Sequence, residues 1–314
     1  MSRARVVCLV GPTASGKTAL ALELAEELRA EIVSADSRQV YRTLDVGTAK
    51  PTLAERRRVP HHCIDLVAPE DAYDAAQFRV AAAAALAGIH ARGRPALVVG
   101  GSGLWIRALL RGLCPAPPRA PAVRAALRAL AIRRGVPELH RHLVAIDPVA
   151  AARVHPRDVV RIERALEVAF ASGRRLSQWQ AGHRFAEAPY EALLVGLEVP
   201  VPVLDRRIAT RARRMVGAGF ADEVRALRAR GLPETAPAWA SVGYREMRAY
   251  VDGACDLDAA LSAAVAATRR FAKRQRTWFR AEPGIVWRSP EADCDRIRRD
   301  VEAFLAHGTR PADS

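Results

Sequence analysis

Eight residues near the start of the chain, Gly11-Pro12-Thr13-Ala14-Ser15-Gly16-Lys17-Thr18, have the spacing G-x-x-x-x-G-K-T. Glycines so placed let backbone N–H groups turn toward phosphate oxygens, and a helix N-terminus behind them adds partial positive charge. Lys17 would neutralise phosphate charge, and the Thr18 hydroxyl would hold Mg²⁺. The chemistry is phosphate binding, and a nucleotide and a lipid diphosphate look alike to such a loop. Asp36, within Ser34-Ala35-Asp36-Ser37-Arg38-Gln39-Val40-Tyr41, is a candidate general base for a nucleophile aimed at the phosphate-bearing substrate. A turn or N-cap aspartate fits the same spacing. Gly100-Gly101-Ser102-Gly103 is either a loop that lets a substrate come close or a plain strand-to-helix turn.

These residues need elements to aim them. Val6 to Val10 is an apolar run that enters the first loop as a buried strand would. Thr18 to Leu28 is apolar at Leu20, Leu24 and Leu28 and acidic at Glu23, Glu26 and Glu27, the pattern of an amphipathic helix. Glu31 to Ser34 and Pro95 to Val99 read as further strands, with an Ala-rich helix at Ala75 to Ala91 between them. This βαβ grammar predicts a parallel sheet, with Gly11, Asp36 and Gly100 converging on one edge. The Pro95–Val99 strand ends in glycine where a Walker-B strand would end in an acid, and the apolar run before Asp65 is too short to replace it. That counts against a motor or switch NTPase.

Cys114-Pro115-Ala116-Pro117-Pro118 interrupts the alternation, and Arg119 to Gly182 reads as helix without a strand. Glu191 to Val199 returns to strand, helices follow at 203–230 and 256–280, Ile285 to Trp287 is a short late strand, and the tail after His307 is polar and loose. The fold class is therefore α/β, with a P-loop NTPase-like parallel-sheet core formed by residues 1–118 and 187–314. An all-helical insertion at 119–186 completes it.

The 314 residues carry 49 Lys and Arg against 34 Asp and Glu, a net charge of +15, which points to a polyanionic partner, nucleic acid first. Arg157, Arg161 and Arg164 fall on one face of a helix whose other face is Val159, Ile162 and Leu166. Arg269, Lys273, Arg276 and Arg280 repeat the spacing, with Phe271, Trp278 and Phe279 nearby to stack bases. Five scattered cysteines without C-x-x-C spacing read as reduced thiols, and His61-His62 and His140/His142 lack a third ligand for zinc. With no apolar stretch long enough to span a bilayer, the expectation is a soluble cytoplasmic protein without a membrane partner, taken as a monomer.

In order along the chain, these stretches resemble the tRNA dimethylallyltransferases (tRNA isopentenyltransferases). The resemblance rests on Gly11–Thr18, Ser34–Tyr41, Gly47–Pro51, His61–Leu66, Val99–Trp105, Asp147–Val168, Ser241–Met247 and Ala267–Arg280, and covers most of the chain. It implies transfer of a dimethylallyl group from dimethylallyl diphosphate to N6 of the adenine on the 3′ side of the anticodon, with Mg²⁺ as the metal. By this resemblance Asp36 is the base, Ser102 stands where most members have Thr beside the reacting amine, and Arg211 looks like the arginine that reaches the diphosphate. Gly11–Thr18, including Lys17, would hold the leaving diphosphate.

The resemblance also implies that the tRNA anticodon stem-loop is met by Asp36, Ser37, Arg38, Gln39 and Ser102, and by Arg124, Val160, Arg161, Ile162, Glu163 and Arg164. Ser241, Val242, Gly243, Tyr244 and Arg245 form a further contact segment. Lys273, Arg274, Gln275, Arg276, Thr277, Trp278, Phe279 and Arg280 form the last. Val160 stands where the family usually has Gln; a Gln can read a base edge and a Val cannot, so the departure bears on base reading rather than on backbone grip by Arg161 and Arg164. Trp105 replaces the usual Tyr as an aromatic wall. The main rival is a small-molecule kinase of the shikimate- or gluconate-kinase type, in which Asp36 would deprotonate a hydroxyl and ATP would fill the loop; the length, the basic stripes and the helical insertion stand against it.

Overall fold

The computed structural model describes residues 3–308, so the tail expectation beyond His307 falls almost wholly outside the described residues. Six strands, β1 (Ala4–Val10), β2 (Glu31–Ser34), β3 (His61–His62), β4 (Ala96–Gly100), β5 (Tyr190–Leu197) and β6 (Ile285–Arg288), form one sheet in the order β3-β2-β4-β1-β5-β6, every pairing parallel. β1, β2 and β4 are almost wholly buried, as expected of strands covered by helices on both faces. Strand order reverses about β1, so the crevice where ligands settle in such sheets lies at the C-terminal ends of β1 and β4.

Helices α1 (Lys17–Glu27), α2 (Leu53–Arg58), α3 (Ala75–Ala91) and α4 (Gly103–Arg111) alternate with the first four strands. Leu20, Leu24 and Ala25 of α1 pack with Leu9, Leu97, Leu193 and Phe304 in the sheet core. Then come α5 (Pro121–Arg134), α6 (Val136–Ile146), α7 (Pro148–Ala151), α8 (Val159–Ser172) and α9 (Leu176–His183). After β5 follow α10 (Val201–Gly217), α11 (Phe220–Ala229), α12 (Tyr244–Val251) and α13 (Leu257–Arg280), and after β6 α14 (Cys294–His307). The helix expected at 203–230 is two, because Gly219, at φ 93°, breaks it between Gly217 and Phe220.

The chain divides into two compact units, residues 3–110 with 188–308, and Arg111–Glu187, where the sequence reading set the boundaries at 118/119 and 186/187. The second unit is all helix, with Leu127, Leu139, Leu143, Ile162 and Leu166 as its core. Buried Glu167 ties it together by accepting from Arg124 Nε at 2.8 Å, Arg164 Nη1 at 2.8 Å and the Ala120 N–H at 2.7 Å. Among the described residues no helix is long and apolar enough to cross a membrane.

Candidate active site

The loop between β1 and α1 curls back on itself. Lys17 Nζ donates to Gly11 O at 2.9 Å, Pro12 O at 2.6 Å and Ser15 Oγ at 3.4 Å. Gly16 (φ 96°) precedes α1 with no side-chain cap, leaving the first N–H groups of that helix to the loop's concavity. Burial, together with the Arg211 charge, lowers the Lys17 amine to about 7, with Asp36 opposing the shift. Arg211, on α10, donates through Nη2 to Thr13 Oγ1 at 2.6 Å, and burial lowers its guanidinium pKa against the pull of Asp36.

Asp36 leaves β2 at the same sheet edge. Its Oδ1 accepts the Arg38 N–H at 2.8 Å, so it shapes its own turn, and the residue lines the cavities described next. The turn reading is met by that bond, and the residue's place at the cavities leaves it free to meet a substrate as well. Ser102 Oγ accepts the Ser37 N–H at 3.0 Å and its own N–H donates to Ala35 O at 3.2 Å, which fixes the Asp36–Gln39 turn to the end of β4. Gln39 Oε1 accepts from Ser34 Oγ at 2.9 Å and its amide donates to Ala49 O at 3.2 Å.

Two cavities meet here. A groove of about 1020 Å³ is lined by Thr13–Ala19, Thr48–Pro51, Arg206, Arg207, Arg211 and Arg214, a cationic channel over the phosphate loop. A smaller cavity of about 180 Å³ has apolar walls from Ile208, Met215, Val216, Phe220, Met247 and Leu261 and a polar rim from Ser37, Arg38, Ser241, Gly243 and Arg274. Thr13, Asp36, Thr48, Arg211 and Phe271 line both. A carboxylate therefore stands where an anion groove opens into an apolar pocket. Thr18 opens onto the groove and shares a third, small cavity with Lys17 and Asp36, so a hard-oxygen donor suited to Mg²⁺ lies beside the phosphate loop.

Several expectations need correction. The glycines of Gly100–Gly103 make room for the protein itself, since a Cβ on Gly100 would lie 2.1 Å from Ala35 O, on Gly101 2.1 Å from Gln275 Nε2, and on Gly103 2.1 Å from Trp278. Trp105 is no site wall, being buried with its ring stacked on Phe78 at 4.7 Å. Phe279 is buried, and Trp278 lies under Arg107 at 4.4 Å, whereas Phe271 lines both the groove and the apolar cavity. Arg157 precedes α8 in a turn and is not on the helix stripe. Asp65, already set aside as a strand-end acid, accepts from Lys50 and Arg56, each at 2.7 Å, as their counter-ion.

The segments assigned to RNA divide by exposure. Ile162, Glu163, Tyr244 and Phe279 have buried side chains, which withdraws them as surface contacts. Arg124 and Arg164 are committed to Glu167, whereas Arg161 is 68% exposed beside Asp158 and Val160 is exposed. On α13, Arg269 pairs with Asp205 and Arg280 with Glu198, while Lys273 and Arg276 have no ion-pair partner among the described residues. Arg274 lines the small cavity's rim, and Thr277 Oγ1 donates to Lys273 O. Gln275, 7% exposed, accepts the Thr13 N–H at 2.8 Å and donates to Gly101 O at 3.0 Å, pinning the phosphate loop to the β4 loop. Sequence reasoning missed that bridge; the one signal was a neutral amide set among cations on the inward face of α13.

Comparison with known proteins agrees with this geometry. A family model described as IPP transferase matches residues 39–282, and one described as isopentenyl transferase matches residues 4–64. The tRNA dimethylallyltransferase of Geobacter metallireducens is 49% identical over 302 residues, covering 96% of this chain and 98% of that protein. That of Anaeromyxobacter dehalogenans is 50% identical over 298 residues, covering 95% and 99%. The crystal structure of the tRNA isopentenylpyrophosphate transferase from Bacillus halodurans superposes with a TM-score of 0.70 at 36% identity, covering 96% of this chain and 95% of that one. A eukaryotic dimethylallyltransferase acting on tRNA shares the fold, with a TM-score of 0.83 at 22% identity over 99% of this chain and 81% of that one. Matched by the family model over residues 39–282 and by relatives over 95–96% of its length, the chain belongs to the IPP transferase family, the tRNA dimethylallyltransferases.

Proposed function

We propose that this enzyme transfers the dimethylallyl group of dimethylallyl diphosphate to N6 of the adenine 3′-adjacent to the tRNA anticodon, forming N6-(dimethylallyl)adenosine and releasing diphosphate. The observation that carries the reading is the position of Asp36 at the junction of the cationic groove and the apolar cavity. The N6 lone pair forms a bond to the allylic carbon, the carbon–oxygen bond breaks, and its electron pair leaves on diphosphate. Adenine N6 is a weak nucleophile because its lone pair is delocalised, so Asp36 takes the N6 proton as the new bond forms, help worth ~10²–10⁴-fold. Charge grows on the leaving diphosphate; Lys17, Arg211 and the loop N–H groups are the donors that meet it.

Mg²⁺ would supply further neutralisation of the diphosphate, and the Thr18 hydroxyl is the donor that would hold it. Ser102 acts on the amine through the Asp36–Gln39 turn that it fixes. The purine must leave its stack to reach Asp36, a cost of a few kcal/mol that is least in a single-stranded loop. Lys273, Arg276, Arg161 and exposed Arg245 are among the cations available to the RNA backbone. The reading includes a monomer acting in the cytoplasm.

The test is mass spectrometry of an anticodon stem-loop RNA incubated with the enzyme and labelled dimethylallyl diphosphate, with ATP offered in parallel. An isoprenoid mass gain on the adenine supports the reading. Phosphate released from ATP with the RNA unmarked replaces it with the kinase.

A further inference from the structure

The segment Asp45–Pro51 walls every cavity at the site. Gly47 and Thr48 line the small cavity, Thr48 to Pro51 line the groove, and Asp45, Val46 and Ala49–Pro51 line an adjoining cavity of about 690 Å³. Such a wall needs its backbone amides satisfied from somewhere, since it belongs to no strand or helix. One carboxylate supplies three of them. Glu223, on α11, accepts the Asp45 N–H at 2.7 Å and the Val46 N–H at 2.7 Å on Oε2, and the Gly47 N–H at 3.1 Å on Oε1. Tyr244 of α12 donates its hydroxyl to the same Oε1 at 2.6 Å. The rings of Phe220 and Tyr244 then close over Gly47, where a Cβ would lie 2.2 Å from Phe220 and 2.6 Å from Tyr244.

Resting on the prenyl-transfer reading above, we propose that Glu223, oriented by Tyr244, is a positioning residue for catalysis: it clamps the Asp45–Gly47 backbone and so sets where Thr48 meets the two substrates. It touches neither substrate itself. Thr48 O and Ala49 O face Gln39 Nε2 at 3.5 and 3.2 Å, which carries the clamp's effect to the turn that bears Asp36. A carboxylate accepting three N–H donors and a hydroxyl has no good substitute. An amide would aim two hydrogens at groups that are themselves donors, so Glu223→Gln can keep only part of the set.

The experiment compares Glu223→Ala, Glu223→Gln, Gly47→Ala and a destabilised control, Val301→Ala, which opens a hole in the sheet core away from the clamp. Hydrogen exchange is read at the amides of Asp45, Val46 and Gly47, and steady-state kinetics are read separately for each substrate at 25 °C. Glu223→Ala is expected to speed exchange at those amides at least tenfold with β1 amides unchanged. It should also lower kcat/KM for the prenyl diphosphate at least tenfold, with affinity for the stem-loop RNA within twofold. Glu223→Gln should fall between Glu223→Ala and the parent, and Gly47→Ala should match Glu223→Ala in kinetics. Unchanged exchange in Glu223→Ala overturns the clamp. Faster exchange with unchanged kcat/KM overturns its catalytic role, as does a loss in Val301→Ala equal to that in Glu223→Ala. A parent enzyme that transfers no prenyl group overturns the function reading instead, and the exchange result stands by itself.

Discussion

Lys17 gives the sharpest test of how the groove works. Its amine titrates near 7 rather than 10.5, a displacement that costs its charged form about 5 kcal/mol at about 1.36 kcal/mol per unit. Burial drives the shift, while Asp36 opposes it and the three acceptors at Nζ favour the ammonium. A bound diphosphate brings two or more negative charges to the amine and restores the proton. At pH 8.5 the free enzyme holds Lys17 almost wholly neutral, so binding a non-hydrolysable prenyl diphosphate analogue should take up about one proton. Calorimetry in buffers of different ionisation enthalpy reads that number as the slope of observed heat against buffer heat. A slope near zero at pH 8.5 means that Asp36 and the three carbonyl and hydroxyl acceptors keep the ammonium charged, and the desolvation argument fails. The same shift bears on the free enzyme's stability. Because the folded state binds fewer protons here than the unfolded chain between about pH 7 and 10.5, this group's penalty is full below pH 7 and fades as the pH rises to 10.5.

Asp36→Asn should lower prenyl transfer by ~10²-fold or more while the dissociation constant for stem-loop RNA, read by filter binding, stays within a few-fold. Replacing Lys273 and Arg276 together by Ala should weaken RNA binding and reduce the slope of log affinity against log salt by about 1.4–1.8, two phosphate contacts' worth. In the helical unit, burial raises the Glu167 pKa but Arg124, Arg164 and the Ala120 N–H outweigh it and bring the carboxyl to about 2. Its contribution, about 3 kcal/mol at neutral pH, is complete above about pH 4.5 and is lost as the pH falls toward 2, so acid melting monitored by circular dichroism should flatten over that range in Glu167→Gln.

The strands that carry the chemistry were legible because each is a short apolar run ending in a residue with an evident task, Val10 before Gly11 and Ser34 before Asp36. The charge on α13 was legible too, since a stripe needs only helical spacing. What the stripe's neighbours do was not. Trp278 and Phe279 look like base platforms until Gly103 and Arg107 are found against Trp278 and Phe279 is found buried. Gln275 and Glu223 escaped for a different reason, because each serves backbone amides more than a hundred residues away, and an amide leaves no mark on composition or periodicity. The start of α8 was misjudged at Arg157 because the Pro156 turn displaces the first helical residue to Val159.

The partner that closes one flank of β1 is remote. Val7 to Val10 pairs with β4 on one side, but on the other Ala4 to Val10 pairs with Tyr190 to Gly196 of β5, a whole helical unit later in the chain. At ~5–20 residues per second, a ribosome needs about 10–40 s between finishing Val10 and finishing the strand that covers it. For that interval an apolar edge, Val6-Val7-Cys8-Leu9-Val10, lacks its second neighbour and resembles the templates on which nascent chains stick to one another. The helical unit, whose core residues all lie close together in sequence, needs no later chain to complete it, whereas the sheet must wait for β5 and β6 and is the part completed last.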